Sequence, residues 1–218
     1  DPENNKQTTV TQEINLVSSE PAFGQLDWIA GLFYLDTEIE ISILERLDFG
    51  FDGVFDPFTI DDIYAYSGDV GFITDSKPER DSLSVYGQGT WNHSDTLRTV
   101  FGLRYTKDEV YSAVTNFYGR SGTDILETSG NKITGRLVIE NDLGDNTMLY
   151  GSFTRGYKPG GSNLTYGREN VIAPIVVLPT FTEEVVDAFE VGLKSDLADG
   201  RVRLNTAAFF YNYEGLQY

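Results

Sequence analysis

The sequence repeatedly alternates apolar and polar residues over segments of about ten residues, the length expected of a strand that crosses a lipid bilayer. In the clearest segment, 96–106, one face of an extended chain carries Leu97, Phe101, Leu103 and Tyr105. The opposite face carries Arg98, Gly102 and Arg104. Because alternation with a period of two indicates a β-strand with one apolar and one polar face, the chain is predicted to be all-β.

Eight such segments are predicted to be strands, and their connections are alternately short and long. The predicted strands span roughly 12–18, 26–36, 83–92, 96–107, 131–142, 146–157, 184–195 and 200–213. Short connections fall around 21–24, 93–95, 144–145 and 198–200. Long connections cover 37–82, 108–130 and 158–183. Long loops would therefore all lie at one end of the strands, and short turns at the other.

This segregation of loops predicts an antiparallel transmembrane β-barrel with long extracellular loops and short periplasmic turns. Lipid offers no hydrogen bonds, so an all-β structure that spans it must close on itself and pass up and down in register. With long loops outside, both ends of the chain emerge on the extracellular side. We therefore expect an incomplete slice of a larger barrel, with strands before residue 1 and after Tyr218.

Aromatic residues crowd the ends of the predicted strands, as they do in the interfacial girdles of membrane barrels. The chain has 13 Tyr and 14 Phe, and examples at strand ends are Phe33, Tyr34, Tyr105, Tyr150, Phe210 and Tyr211. Aromatic residues are also common in any β-protein, so they indicate a girdle only in combination with the alternation of short and long connections.

Composition narrows the possible functions further. The chain has no cysteine and a single histidine, His93, so neither a disulfide framework nor a thiolate or histidine-rich metal site is expected. A net charge of −18 disfavours nucleic acid as a partner. No nucleophile and base stand in a pattern that indicates catalysis, and we expect neither an enzyme nor a bound cofactor.

Several blocks of the sequence resemble the barrel of TonB-dependent outer-membrane receptors. The resemblance is carried by residues 146–163, 183–195 and 199–211, with weaker matches at 12–18 and 101–106. The blocks occur in the family order and cover most of the chain except the long loops. The resemblance implies that residues 1–218 are a partial barrel domain, taken from a 22-stranded barrel whose plug domain and terminal strands are absent here.

The same resemblance implies a function. Such a receptor lies in the bacterial outer membrane, where it contacts outer-membrane lipid, its own plug domain and the TonB complex. It imports a scarce nutrient, and the TonB complex drives the import. The ligand would be a small molecule such as a ferric siderophore, cobalamin or a glycan, with an iron–siderophore complex favoured. Two alternatives remain: a passive porin, and a soluble or cell-surface β-sandwich that serves as an adhesin or carbohydrate-binding protein.

The stretch GSFTRGYKPGGSN, residues 151–163, contains the first candidate site residues. It does not fit a phosphate-binding loop, in which the lysine follows the glycines. Here Lys158 precedes the paired glycines, and Pro159 lies between the lysine and the glycines. It is better explained as a strand that leaves the membrane at Pro159, which has no N–H for a ladder. Arg155, Tyr157 and Lys158 would then lie at the outer rim, at the headgroup boundary or in contact with an incoming ligand.

The second candidate is an acidic extracellular loop that carries Asp48, Asp52, Asp56, Asp61 and Asp62. Carboxylates are ligands that calcium prefers, but the spacing is not that of an EF-hand, so a solvated acidic loop is favoured over a metal site. Its charge has a consequence for function, because an acidic mouth repels polyanions and argues against a highly anionic ferric complex.

Overall fold

The computed structural model describes residues 5–48, 69–116, 123–163 and 180–217 of the chain. Ten strands form there: β1 Lys6–Val17, β2 Leu26–Asp48, β3 Asp69–Asn92, β4 Leu97–Asn116, β5 Thr123–Asp142, β6 Thr147–Lys158, β7 Gly161–Ser162, β8 Thr180–Phe181, β9 Glu184–Leu197 and β10 Val202–Glu214. No helix among these residues has the length and apolar character needed to cross a bilayer.

The eight long strands form one antiparallel sheet, in the order β1-β2-β3-β4-β5-β6-β9-β10. Each long strand pairs with the long strand that follows it in sequence, so the chain runs up and down without a crossover. β7 and β8 form a separate two-stranded sheet. Within the described ranges, no second large sheet faces the first, as a β-sandwich would require. The predicted all-β, antiparallel slice of about eight strands is confirmed.

Several strands are longer than the sequence pattern predicts, and β1, for example, begins at Lys6 instead of near residue 12. β2 and β3 stay paired up to Asp48 and Asp69, and β4 and β5 up to Thr115 and Thr123. The predicted bounds of the long connections, 37–82 and 108–130, are therefore wrong in large part, because strands extend into both. The physical reason is that strands above the membrane meet water on both faces and need no apolar stripe, so the period-two signal disappears while the backbone ladder continues.

The register divides the side chains of the sheet into two chemically different faces. The outer face carries exposed apolar residues, including Leu32, Leu83, Val85, Leu103, Ile133, Leu137, Val191 and Phe210. The inner face carries polar residues, including Tyr86, Arg98, Arg104, Arg136, Glu140, Tyr150, Glu190 and Lys194. Inner side chains are also more covered, since Ser84 is 1% exposed and Leu103 is 68% exposed. Such crowding on one face is expected of a sheet that curls toward a barrel.

The outer face is apolar only over a band of limited height. On β4 the apolar run extends from Leu97 to Tyr105, about 26 Å along the strand, and at the usual tilt it corresponds to a height of about 20 Å. Immediately beyond it the outer positions become charged: Asp36 and Glu38, Glu79 and Asp81, Lys107 and Glu109, and Arg155 and Asp187. At one level across the sheet, the outer surface therefore changes from apolar residues, which suit contact with lipid, to charged residues, which suit contact with water.

The aromatic residues fit this band only in part. Trp28 and Trp91 lie on the outer face near the short turns, and Tyr34 and Tyr105 lie on it near the opposite edge. These four residues have the positions of an interfacial girdle. Phe33, Tyr150 and Tyr211, by contrast, lie on the inner face, so they do not belong to such a girdle.

Two inner tyrosines cover glycines on the neighbouring strand. Tyr86 is paired with Gly31, and Tyr150 with Gly192. A Cβ atom built on Gly31 would lie 2.6 Å from the Tyr86 ring, and one on Gly192 would lie 2.5 Å from the Tyr150 ring. Only glycine leaves room for a ring to lie flat on the next strand, an arrangement that also helps to fix strand register.

Candidate functional site

The connection between β6 and β9 begins and ends with residues that fold against the inner face of the sheet. We call residues 159–163 and 180–183 the inward hairpin; they include the paired strands β7 and β8. The Ser162 hydroxyl donates a hydrogen bond to the Ser112 hydroxyl on β4, at 2.6 Å between the oxygens. Ser112 is completely buried, so the hairpin is docked on the inner wall above the apolar band.

A recess of 440 Å³ lies between the inward hairpin and the wall formed by β4, β5 and β6. Its lining includes Asp108, Val110, Thr128, Tyr157, Phe181 and Glu183. The volume falls in the range of small-molecule sites, and the mixture of rings with a few converging polar groups is typical of them. The lining residues lie beyond the apolar band, so the recess is near the long-loop end of the sheet.

Asp108 is the centre of the polar network in the recess, although its side chain is only 1% exposed. Its Oδ1 accepts hydrogen bonds from Arg80 Nε at 3.2 Å and Arg80 Nη2 at 2.8 Å. Its Oδ2 accepts a hydrogen bond from the Tyr157 hydroxyl at 2.9 Å. Burial and, secondly, the hydrogen bond to Asp108 raise the pKa of Tyr157 far above its usual value. The phenol therefore remains a donor, and both carboxylate oxygens are satisfied.

Two further contacts hold the inward hairpin at its base. Glu183 forms an ion pair with Lys132 on the inner face of β5. The side-chain amide of Gln217 donates to the carbonyl oxygens of Pro159, at 3.0 Å, and Thr182, at 2.8 Å. Gln217 thus joins the two ends of the hairpin, and the shape of the recess depends on contacts from β4, β5 and the residues after β10.

The structure separates the three rim residues predicted from sequence. Tyr157 lines the recess. Arg155 lies on the outer face, where its Nε and Nη2 donate to the two oxygens of Asp187 at 2.6 Å and 2.5 Å. Arg155 holds the pKa of Asp187 below its usual value through these hydrogen bonds. Lys158 is exposed opposite Glu184 and does not line the recess.

The acidic loop gives no site that the structure can describe. Asp52, Asp56, Asp61 and Asp62 lie outside the described residues, and Asp48 ends β2. Within the described residues there is no group of three or more side chains that could hold a metal ion. A cation site on this loop therefore stays an untested alternative to the solvated loop.

Sequence reasoning missed Asp108 and Glu183, which line the recess, and their ion-pair partners Arg80 and Lys132. Asp108 was placed at the start of a long connection, whereas the structure places it inside β4. A signal was present, because Thr106, Asp108, Val110, Ser112 and Val114 continue the alternation of the strand. It is inconspicuous because both faces of the strand are largely polar at this level.

A second cavity, of 770 Å³, lies at the short-turn end of the sheet. Its lining includes the turn residues Asp95, Asp145 and Asn146, together with Lys194 on the inner wall. It is larger than the recess, but no aromatic ring lines it and most of its lining residues are polar or charged, so it resembles a solvated groove between turns more than a ligand site.

Comparison with known proteins agrees with this architecture. A family model described as TonB dependent receptor-like, beta-barrel, matches residues 4–218. The ferric yersiniabactin uptake receptor FyuA from Yersinia pestis is similar in structure, with a TM-score of 0.72 at 19% identity over 98% of this chain and 29% of that one. The siderophore receptor PiuA from Acinetobacter baumannii gives a TM-score of 0.67 at 17% identity, over 94% of this chain and 31% of that one.

The ferric-catecholate import receptor Fiu from E. coli K12, in its closed form, is also similar. Its TM-score is 0.67 at 16% identity, over 97% of this chain and 32% of that one. At these identities the similarity concerns the fold alone. The chain spans less than a third of the length of each of these three solved structures.

Proposed function

The chain belongs to the TonB-dependent receptor β-barrel family, and from this premise we propose that it takes part in the energised uptake of a scarce nutrient, in the first place an iron–siderophore complex. Members of this family are receptors in the outer membrane of Gram-negative bacteria, and we propose that this chain forms part of a receptor of that kind. The family consists of transport receptors and not of enzymes. The chemistry of the protein would accordingly be recognition and passage.

The main support for the proposal is that the outer face of the sheet changes from apolar to charged residues at one level. Below that level, residues such as Leu103 and Ile133 are exposed and apolar, as a lipid-facing surface requires. Above it, β2 to β5 continue as paired strands, so that Asp48 lies about 46 Å along β2 from Tyr34. A tall wall with a recess on its inner side suits the capture of a ligand from outside the cell.

The partners follow from the same reasoning and are proposals. β1 and β10 each have one neighbour in the sheet, so each presents a long free edge. An unpaired strand edge within a membrane is energetically unfavourable, because lipid cannot form hydrogen bonds with the backbone N–H and C=O groups. We therefore propose that further strands close the barrel, that a plug domain fills its lumen, and that the TonB complex supplies the energy.

Growth under iron limitation tests the proposed function. A strain without the gene should fail to grow on one or more ferric siderophores that support the parent strain. The same loss should occur when the gene is present but TonB is deleted. Uptake that persists without TonB would instead favour a passive porin, and unchanged growth on every ferric siderophore, with loss of growth on a glycan or cobalamin, would replace the proposed substrate.

A further inference from the structure

The charged side chains around the recess are already paired with one another. Arg80 is bound to Asp108, and Lys132 is bound to Glu183. Asp108 and Glu183 line the recess, whereas Arg80 and Lys132 are held in these ion pairs and are not part of its lining. An anionic group that entered the recess would approach two carboxylates without a free cation to replace its lost water, which is costly in a partly buried site.

The other cations near this level do not line the recess. Arg104 is on the inner face below Asp108, where its guanidinium donates to the hydroxyls of Thr106 and Ser84. Lys107 is on the outer face and paired with Glu109, and Arg155 is on the outer face and paired with Asp187. Lys77, on the outer face, is paired with Glu40. Lys6 and Lys158 are exposed and form no ion pair within the described part of the wall, and neither of them lines the recess.

The remaining lining residues of the recess carry no charge and suit contact with uncharged groups of a ligand. Tyr157 and Phe181 offer ring faces, and Thr128 and Thr180 offer hydroxyl groups. Rings attract cations and apolar groups, whereas hydroxyl groups can donate to or accept from amides and carbonyls.

From this arrangement we infer that the recess selects a ferric complex of zero or positive net charge, of the trihydroxamate class, and discriminates against polyanionic tris-catecholates. The inference rests on the proposed uptake of ferric siderophores and specifies the class of substrate. The determinant is the Lys132–Glu183 pair: while Glu183 holds Lys132, that cation is not available to an anionic ligand.

The test compares binding of the two classes to the intact receptor in detergent. The probes are a panel of neutral and cationic ferric trihydroxamates and a panel of ferric tris-catecholates, measured at low and at physiological salt. We expect at least about tenfold tighter binding for the best trihydroxamate, with the difference between the classes largest at low salt.

The variant Glu183→Gln frees Lys132 and should improve tris-catecholate binding by about tenfold, while trihydroxamate binding changes little. Asp187→Asn is the matched control, since it frees Arg155 by the same change of charge on the outer face and should alter neither affinity. Tight tris-catecholate binding by the unmodified receptor, or no gain in Glu183→Gln, would overturn the charge selection alone. Binding of no ferric complex of either class would overturn the iron–siderophore function together with it.

Discussion

Replacing Leu103 by arginine is expected to destabilise the membrane-inserted protein by about 2 to 3 kcal/mol. Leu103 is 68% exposed on the outer face and lies two residues above Phe101, the midpoint of the apolar run Leu97–Tyr105. With the usual rise and tilt, this places it about 5 Å above the middle of the apolar band. An arginine on the lipid face costs about 2–4 kcal/mol at the midplane and about 0–1 kcal/mol near the interfaces, which gives the stated range.

The measurement is reversible urea unfolding of the intact protein in phospholipid vesicles, followed by tryptophan fluorescence. Gln88→Arg is the matched control, because Gln88 lies on the inner face of the neighbouring strand, opposite Gly102. It should change the free energy of unfolding by less than about 0.5 kcal/mol. If Leu103→Arg also had an effect this small, or if Gln88→Arg were the more damaging change, the assignment of the two faces would be refuted.

Three further predictions concern the inner face. Gly192→Ala should cost about 1–3 kcal/mol, because the new methyl group collides with the Tyr150 ring, whereas Gly151→Ala, with open space around it, should cost little in the same unfolding assay. Asp108→Ala should speed hydrogen exchange in the inward hairpin, since it leaves the Tyr157 hydroxyl without its acceptor; unchanged exchange would show that the network does not hold the hairpin. The pKa of Tyr157 is raised in the folded protein, so above about pH 10 the native state retains a proton that the unfolded state loses, and stability should fall with rising pH. Tyr157→Phe should show less of this alkaline loss in pH-dependent urea titrations, and an identical loss in both proteins would contradict the raised pKa.

The strands within the apolar band could be predicted from sequence, because lipid on one side and polar groups on the other impose a period of two. The segment 96–106 illustrates this, since the predicted faces of Leu103 and Arg104 agree with the observed register. The upper parts of β2 to β5 could not be predicted in the same way. There both faces are polar, as at Lys107 and Asp108, and only the backbone ladder shows that the strand continues.

The candidate site was less predictable than the fold because it depends on contacts between distant segments. The motif around Arg155 and Tyr157 was identified as a rim, but a sequence cannot show that its residues diverge to Asp187 on the outer face and Asp108 on the inner face. The partners of Tyr157 and Glu183 lie 49 and 51 residues away along the chain. Spacing within a short motif contains no information about such contacts.

The central claim is that one face of this sheet meets lipid and the other meets the barrel interior. Single cysteines placed one by one from Leu97 to Lys107 test it most directly, and the 218 residues contain no cysteine to interfere. In vesicles, a water-soluble maleimide should label the partly exposed inner positions Arg98, Gly102 and Arg104 and spare the odd, outer positions up to Tyr105, with labelling restored at Lys107. Uniform labelling along the strand, or labelling of the odd positions in place of the even ones, would contradict the account.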